Sequence, residues 1–182
     1  MQGVRVNWQV VQVTVGVAVH CGTTTLTGNS VTASFAPVQL DRSFLVFSEG
    51  SVASESMAQI LVQGRLTSGS QALFERNTSG ADMPIEYCVI EWTGANVQRG
   101  VENFALGELQ RSASLVAPVV VQRSVVFLSG YMRQGTTDYI ADDVPGTGWF
   151  ATAFADEQSF TIRRGSSAGN ATAAWTVVEF PP

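Results

Sequence analysis

In Val4-Arg-Val-Asn-Trp-Gln-Val10, apolar and polar residues alternate with a period of two. That is the pattern of a strand with one face in a core. At Val10-Val11 the phase flips, and Val11, Val13, Val15, Val17 and Val19 become the apolar set. The same doubled β-branched step occurs at Val89-Ile90 and at Val177-Val178. A slip of one residue sends the following side chains to the opposite face. The doubling therefore predicts either a β-bulge or a strand that passes from one core to another. Turn signals punctuate the chain at Thr27-Gly-Asn-Ser30, Ser68-Gly-Ser70, Asn77-Thr-Ser-Gly80, Val144-Pro-Gly-Thr-Gly148 and Arg164-Gly-Ser-Ser-Ala-Gly-Asn170. No window sustains a helical period. Short strands between polar turns predict an all-β protein of sandwich type, with antiparallel strands.

The chain also repeats itself, and such self-similarity governs every later fold argument. Val6-Asn-Trp-Gln-Val-Val-Gln12, Ile85-Glu-Tyr-Cys-Val-Ile-Glu91 and Ala173-Ala-Trp-Thr-Val-Val-Glu179 share an aromatic, a spacer, two β-branched residues and a Gln or Glu. Val19-His-Cys-Gly22 matches Val97-Gln-Arg-Gly100, and Arg42-Ser-Phe-Leu-Val-Phe-Ser48 matches Arg123-Ser-Val-Val-Phe-Leu-Ser129. Gln71-Ala-Leu-Phe-Glu-Arg76 is aligned with Gln158-Ser-Phe-Thr-Ile-Arg163. The expected organisation is two tandem, duplicated β-sandwich units, 1–94, which includes an extra N-terminal strand over 4–14, and 95–182. The second unit carries additional residues between Ser129 and Gln158, where a surface loop is expected.

Composition narrows the chemistry. Charged residues make up 14% of the chain, against about 25% in ordinary globular domains. All ten basic residues are Arg, which excludes Schiff-base and P-loop lysine chemistry. The formal charge is −5 and the Arg residues are dispersed, so no basic stripe suits a phosphate backbone and nucleic acid is not an expected partner. No apolar run approaches the roughly 20 residues needed for a helix to span a bilayer, so no membrane insertion is expected. The start, Met1-Gln-Gly-Val-Arg-Val, lacks the features of a secretory signal. Synthesis in a cytoplasm is expected, and Cys21 and Cys88 are expected to be free, buried thiols.

Candidate reactive residues are few. His20 is the only histidine, which rules out a two-His metal site and leaves little for a His-based relay. Its neighbour Cys21 points to the opposite face of an alternating strand, and the matching pair in the second copy is Gln98-Arg99. Asp138, Asp142, Asp143, Asp156 and Glu157 cluster in the second unit without the spacing of a calcium loop. Glu91 and Glu179 occupy matching positions where the first copy has Gln12, which suits a strand-end contact better than an acid catalyst. No catalytic, metal or cofactor-binding residue is assigned. Trp8, Tyr87 and Trp175 share one repeat position and read as buried anchors. Trp92, Tyr131, Tyr139 and Trp149 fall outside that pattern and form the candidate partner- or ligand-binding surface.

The run Trp175–Phe180, together with Val97-Gln-Arg-Gly100 and Arg42-Ser-Phe-Leu-Val-Phe47, resembles the repeated β-sandwich units of tailed-bacteriophage virion proteins. The resemblance implies a head decoration or cement protein, or a fibre or tail component, located in the virion and made in the host cytoplasm. It implies the major capsid protein or another virion protein as partner, and a homo-oligomer, with a trimer favoured. A weaker likeness, over Val119–Val126, Tyr139–Asp143, Ser159–Ile162 and Ala174-Trp175, is to H-type lectin sandwiches. It implies a host glycan as ligand and a receptor-binding role, with no sugar-contacting residue carried over.

Overall fold

The structure, a computed structural model, describes residues 15–50, 56–132 and 145–182. The expected strand over 4–14, its anchor Trp8 and the Val10-Val11 step lie outside them, as do Tyr139, Asp138, Asp142 and Asp143. The first half contributes β1 (Val17–Leu26), β2 (Ser30–Ser34), β3 (Ser43–Glu49), β4 (Gln63–Ser68), β5 (Gln71–Glu75) and β6 (Met83–Trp92). The second contributes β7 (Asn96–Phe104), β8 (Gln110–Ser114), β9 (Ser124–Met132), β10 (Phe150–Phe154), β11 (Ser159–Arg164) and β12 (Ala171–Glu179). One short helix, α1 (Met57–Ile60), precedes β4. The fold is all-β, and every strand pair is antiparallel.

The duplication is visible strand by strand. The sheets are ordered β1-β6-β3 and β2-β5-β4 in the first half, and β7-β12-β9 and β10-β11-β8 in the second. No sheet among the described residues mixes strands from both halves, and the chain crosses between them in the turn 93–95. A turn of 3-10 helix at Leu40–Arg42 leads into β3, and one at Val121–Arg123 leads into β9. Each begins with a tether: the Ser43 hydroxyl donates to the Gln39 carbonyl, and the Ser124 hydroxyl donates to the Val120 carbonyl.

Each unit encloses its own core. Leu26, Phe74, Met83, Ile85 and Val89 are fully buried in the first, and Phe104, Phe160, Ile162, Ala173 and Val177 in the second. Each large apolar side chain so enclosed contributes about 1.5–3 kcal/mol. A third cluster joins the halves: Phe44, Val97 and Val178, flanked by Val46, Val125 and Phe127. This cluster explains the doubled β-branched step. Pairing of β6 and β12 with their neighbours runs through Val89-Ile90 and Val177-Val178 without a register shift, so there is no bulge. Val89 and Val177 face their own cores, while Ile90 and Val178 face the shared cluster. The strand is apolar on both sides at that step because both sides are covered.

Register is fixed by a small residue set against a large one. Gly22 lies opposite Tyr87, and Gly100 opposite Trp175. A Cβ on Gly22 would sit 2.7 Å from the Tyr87 hydroxyl, and one on Gly100 would sit 2.4 Å from Cζ2 of Trp175. Both aromatics are buried, as anchors should be. The Trp175 ring cannot retreat, because Phe160 abuts it edge-on with centroids 5.2 Å apart. Gly100→Ala is therefore expected to destabilise by about 1–3 kcal/mol, the usual cost of overpacking. Gly28→Ala, where an added Cβ meets nothing within 4 Å, is the control. Urea denaturation of the two variants checks the contrast.

The same Gly–aromatic register overturns two expectations. With Gly22 turned inward, Leu26 on the same face enters the core, whereas Val15 and Val19 are 79% and 54% exposed. The valine series on β1 is thus an outward apolar face. The register also sets Cys21 directly opposite Cys88, with their Cα atoms 4.0 Å apart, and the two form a disulfide. Free, buried thiols were expected; instead the pair is bridged, and Cys21 is exposed.

A further correction concerns the arginines. Phe74 and Ile162 are both fully buried, and so are Ala72 and Phe160, so Arg76 corresponds to Arg164 and not to Arg163. Arg163 is exposed. Arg76 is buried and donates to five carbonyls, those of Leu26, Gly28, Gln59, Gly80 and Ala81, at 2.8–3.2 Å. Arg164 is also buried and donates to the Ala105, Glu108 and Gly169 carbonyls at 2.6–2.8 Å. In each unit one guanidinium ties the loop after the first strand to the loop before the last. Desolvation lowers the pKa of both arginines, opposed by Asp82 near Arg76 and by Glu108 near Arg164.

Candidate docking surface

The matched glutamates serve as strand-end contacts. Arg42 bonds Glu91 at 2.6 Å and Arg123 bonds Glu179 at 2.7 Å, each joining the 3-10 turn to the end of the central strand. The hydrogen bond from Arg123 holds the Glu179 carboxyl below its ordinary value of 4.5, with smaller help from Asn96 and the Val120 backbone. A carboxyl whose pKa is depressed by folding stabilises fully above its unfolded value, and that contribution drains away as pH falls through the folded value. Glu179→Gln should therefore flatten the acid limb of the stability profile below about pH 4.5. Thermal melts of both proteins from pH 7 to pH 3 test this.

The halves meet asymmetrically. The outward face of the β7-β12-β9 sheet lies against the Leu40–Arg42 turn and β4 of the first unit, and Phe44, Val46 and Ile90 on the outer side of the β1-β6-β3 sheet share a cluster with Val97, Val178 and Phe127. Arg99 on β7 donates through Nη2 to the Leu40 carbonyl and, at 2.8 Å, to the Ser43 carbonyl. Desolvation lowers the Arg99 pKa, and Asp41 opposes that shift. The Ser129 hydroxyl on β9 accepts from the Gly64 N–H and donates to the Gly64 carbonyl, both at 3.0 Å, which caps the edge of β4. Phe44 and Phe127 stack with centroids 5.3 Å apart.

Of the aromatic set proposed from sequence, Trp92 packs against Phe180 with centroids 5.1 Å apart. Tyr131 is half-buried on β9 opposite Thr172, whereas Phe180 follows Glu179 at the other end of β12. At about 3.3 Å per residue, Trp92 and Tyr131 are roughly a strand length apart and do not share one patch. Trp149 is 59% exposed. It stands on the rim of a cleft of about 370 Å³ between the units, with Leu61, Val62, Glu49 and Ser129 among its walls. Packing raises the Glu49 carboxyl, opposed by a hydrogen bond with the Val62 backbone.

His20 sits half-buried opposite Val89, and Cys21 is held in the disulfide. Asp156 takes the Gln158 backbone N–H at 2.8 Å, which lowers its pKa together with bonds from Ser159; this is the work of a turn. Among the described residues no group of three or more His, Cys, Asp or Glu is placed to hold a metal ion, and no helix is long and apolar enough to cross a membrane. Sequence reasoning missed Arg99 and Ser129 as the residues that join the units. Their signal was present: each stands inside a repeated motif, at a position where the other copy carries Cys21 or Ser48.

Compared with family models, with curated proteins and with solved structures, the chain matches none.

Proposed function

We propose that the protein is a structural component of a bacteriophage particle, a decoration or cement protein that binds the major capsid protein and stabilises the head. The observation that carries this reading is the set of residues the two units keep in common. Gly22 and Gly100 make room for Tyr87 and Trp175. Arg76 and Arg164 clamp loops. Arg42–Glu91 and Arg123–Glu179 fasten strand ends. Each shared residue has a scaffolding task, and the reactive types, His20 and Cys21, are replaced by Gln98 and Arg99 in the second copy. A duplicated fold that keeps its scaffold and lets the rest drift suits a part that works by presenting surfaces. Large apolar side chains left outside support the same reading: Val19, Leu106, Leu109 and Val116 are all more than half exposed. An exposed disulfide suits a surface that meets an oxidising exterior, as a virion does.

The test is stoichiometric. Quantitative mass spectrometry and immunolabelling of purified particles should find many copies spread over the head, and particles lacking the protein should rupture at lower temperature. A few copies confined to the tail would remove the decoration reading.

The second reading is a receptor- or glycan-binding module of a tail or fibre, and the Trp149 cleft is what favours it. A flat exposed indole beside a carboxylate and hydroxyl groups is the furniture of sugar stacking. Saturable binding on a glycan array, lost at least about tenfold in Trp149→Ala, would promote this reading. No binding across the array would retire it.

A further inference from the structure

The duplication supplies a control for the one covalent cross-link in the chain. Gly22 corresponds to Gly100 and Tyr87 to Trp175, so Cys21 corresponds to Arg99 and Cys88 to Thr176. In the second unit Arg99 and Thr176 stand opposite each other, and β7 pairs with β12 through nine residue pairs with no sulfur between them. The first unit keeps the same scaffold: ten residue pairs join β1 to β6, and Gly22 makes room for Tyr87. The register of β1 is therefore set without the bridge. What the bridge adds is a fastening on an outermost strand, because β1 lies at one end of the order β1-β6-β3.

The surroundings leave that fastening open to thiols. Cys21 is exposed and Cys88 half-buried, and both line an open groove of about 500 Å³. In thiol–disulfide exchange the incoming thiolate approaches one sulfur from the side away from the other, so access decides which sulfur is attacked. On β3, Val46 stands directly opposite Cys88, and Val46 is itself packed into the cluster shared with the second unit. The rear of Cys88 is thereby screened. Past Cys21 the sheet has no further strand among the described residues.

We propose that the Cys21–Cys88 bond is a thiol-operated lock on β1, opened in the folded protein by attack at Cys21. The reductant is a low-molecular-weight thiol. Its thiolate bonds to Sγ of Cys21, the Cys21–Cys88 bond breaks, and Cys88 leaves as a thiolate that takes up a proton. A second thiolate then attacks the sulfur of the first, and Cys21 leaves in turn and is protonated. Two thiols are oxidised to one disulfide, and the bridge gains two electrons and two protons. Afterwards β1 stays on its ladder but opens more readily, while the second unit, which has no bridge, is untouched. In a thiol-rich compartment the lock stands open; in an oxidising one it closes. It needs no capsid in order to act.

Glutathione is the probe. With the protein folded, the rate of thiol release should rise in proportion to glutathione concentration, since the reaction does not wait for unfolding. A rate that levels off at that of global unfolding would overturn the lock. Quenching with iodoacetamide should find glutathione on Cys21 and the alkyl group on Cys88 in most of the singly exchanged product; the reverse assignment would refute attack at Cys21. Val46→Ala, which clears the rear of Cys88, should move part of the adduct to that sulfur, and an unmoved distribution would rule out the screening. Amide hydrogen exchange should quicken in Val17–Leu26 after reduction and stay unchanged in Asn96–Phe104. The Cys21→Ser, Cys88→Ser double variant should match the reduced protein and ignore glutathione. Reduction that unfolds the first unit, or that leaves the amides of β1 as protected as before, would sink the proposal.

Discussion

Arg76→Ala should lower the stability of the protein by about 3–5 kcal/mol, because it breaks a buried network of hydrogen bonds from a charged donor and strands several acceptors at once. The variant leaves the carbonyls of Leu26, Gly28, Gln59, Gly80 and Ala81 facing an emptied space. Each unpaired buried acceptor carries a desolvation penalty, offset in part where water enters. Arg164→Ala removes three such bonds and should cost less. Arg76→Lys should not rescue, because a single ammonium cannot span carbonyls that a planar fork reaches from three nitrogens. Urea unfolding followed by tryptophan fluorescence and circular dichroism measures all three. A loss below about 1 kcal/mol for Arg76→Ala would mean that the loops hold without the clamp.

The second large effect belongs to the disulfide. Cys21 and Cys88 close a loop of 67 residues that takes in nearly the whole first unit. Constraining the unfolded chain by a loop of that size stabilises by about 2–4 kcal/mol. The Cys21→Ala, Cys88→Ala double variant should lose that amount, and dithiothreitol should lower the melting temperature of the parent towards that of the variant. The loss should be confined to the first unit, because the second has no counterpart of the bridge. Equal melting of the parent with and without reductant would show that the bond contributes nothing.

How far the sequence could be read follows from where its signals came from. The central strands β6 and β12 were legible because an aromatic anchor and a doubled β-branched step recur in them. Those two features are the marks of a strand covered on both faces. The pairing of Cys21 with Cys88 was not legible from two cysteines so far apart. It follows from Gly22 lying under Tyr87, and a glycine reveals that need only once its opposing aromatic is known. The phase of β1 was misread for the same reason: apolar valines were given the inside, while the chain had given it to Gly22 and Leu26. The equivalence of Arg76 and Arg164 was missed by one position because both Arg163 and Arg164 fit the motif. Burial of Phe74 and Ile162 decides between them. The aromatic surface proposed from sequence was the least legible part. Trp92 and Trp149 look alike in a string of letters, yet Trp92 rests on Phe180 and Trp149 stands open on a cleft rim.

The order of the sheets carries a consequence for synthesis. In both units the central strand is the last to be made: β6 lies between β1 and β3, and β12 between β7 and β9. Until Ala171–Glu179 leaves the ribosome, β7 and β9 have no partner in their sheet, and an open slot one strand wide runs between them. Pairings that wait on distant segments form slowly and leave edges exposed meanwhile. A nascent chain halted before residue 171 is therefore a ready acceptor for a foreign strand, and a chaperone that shields such slots would govern how much of this protein is produced intact.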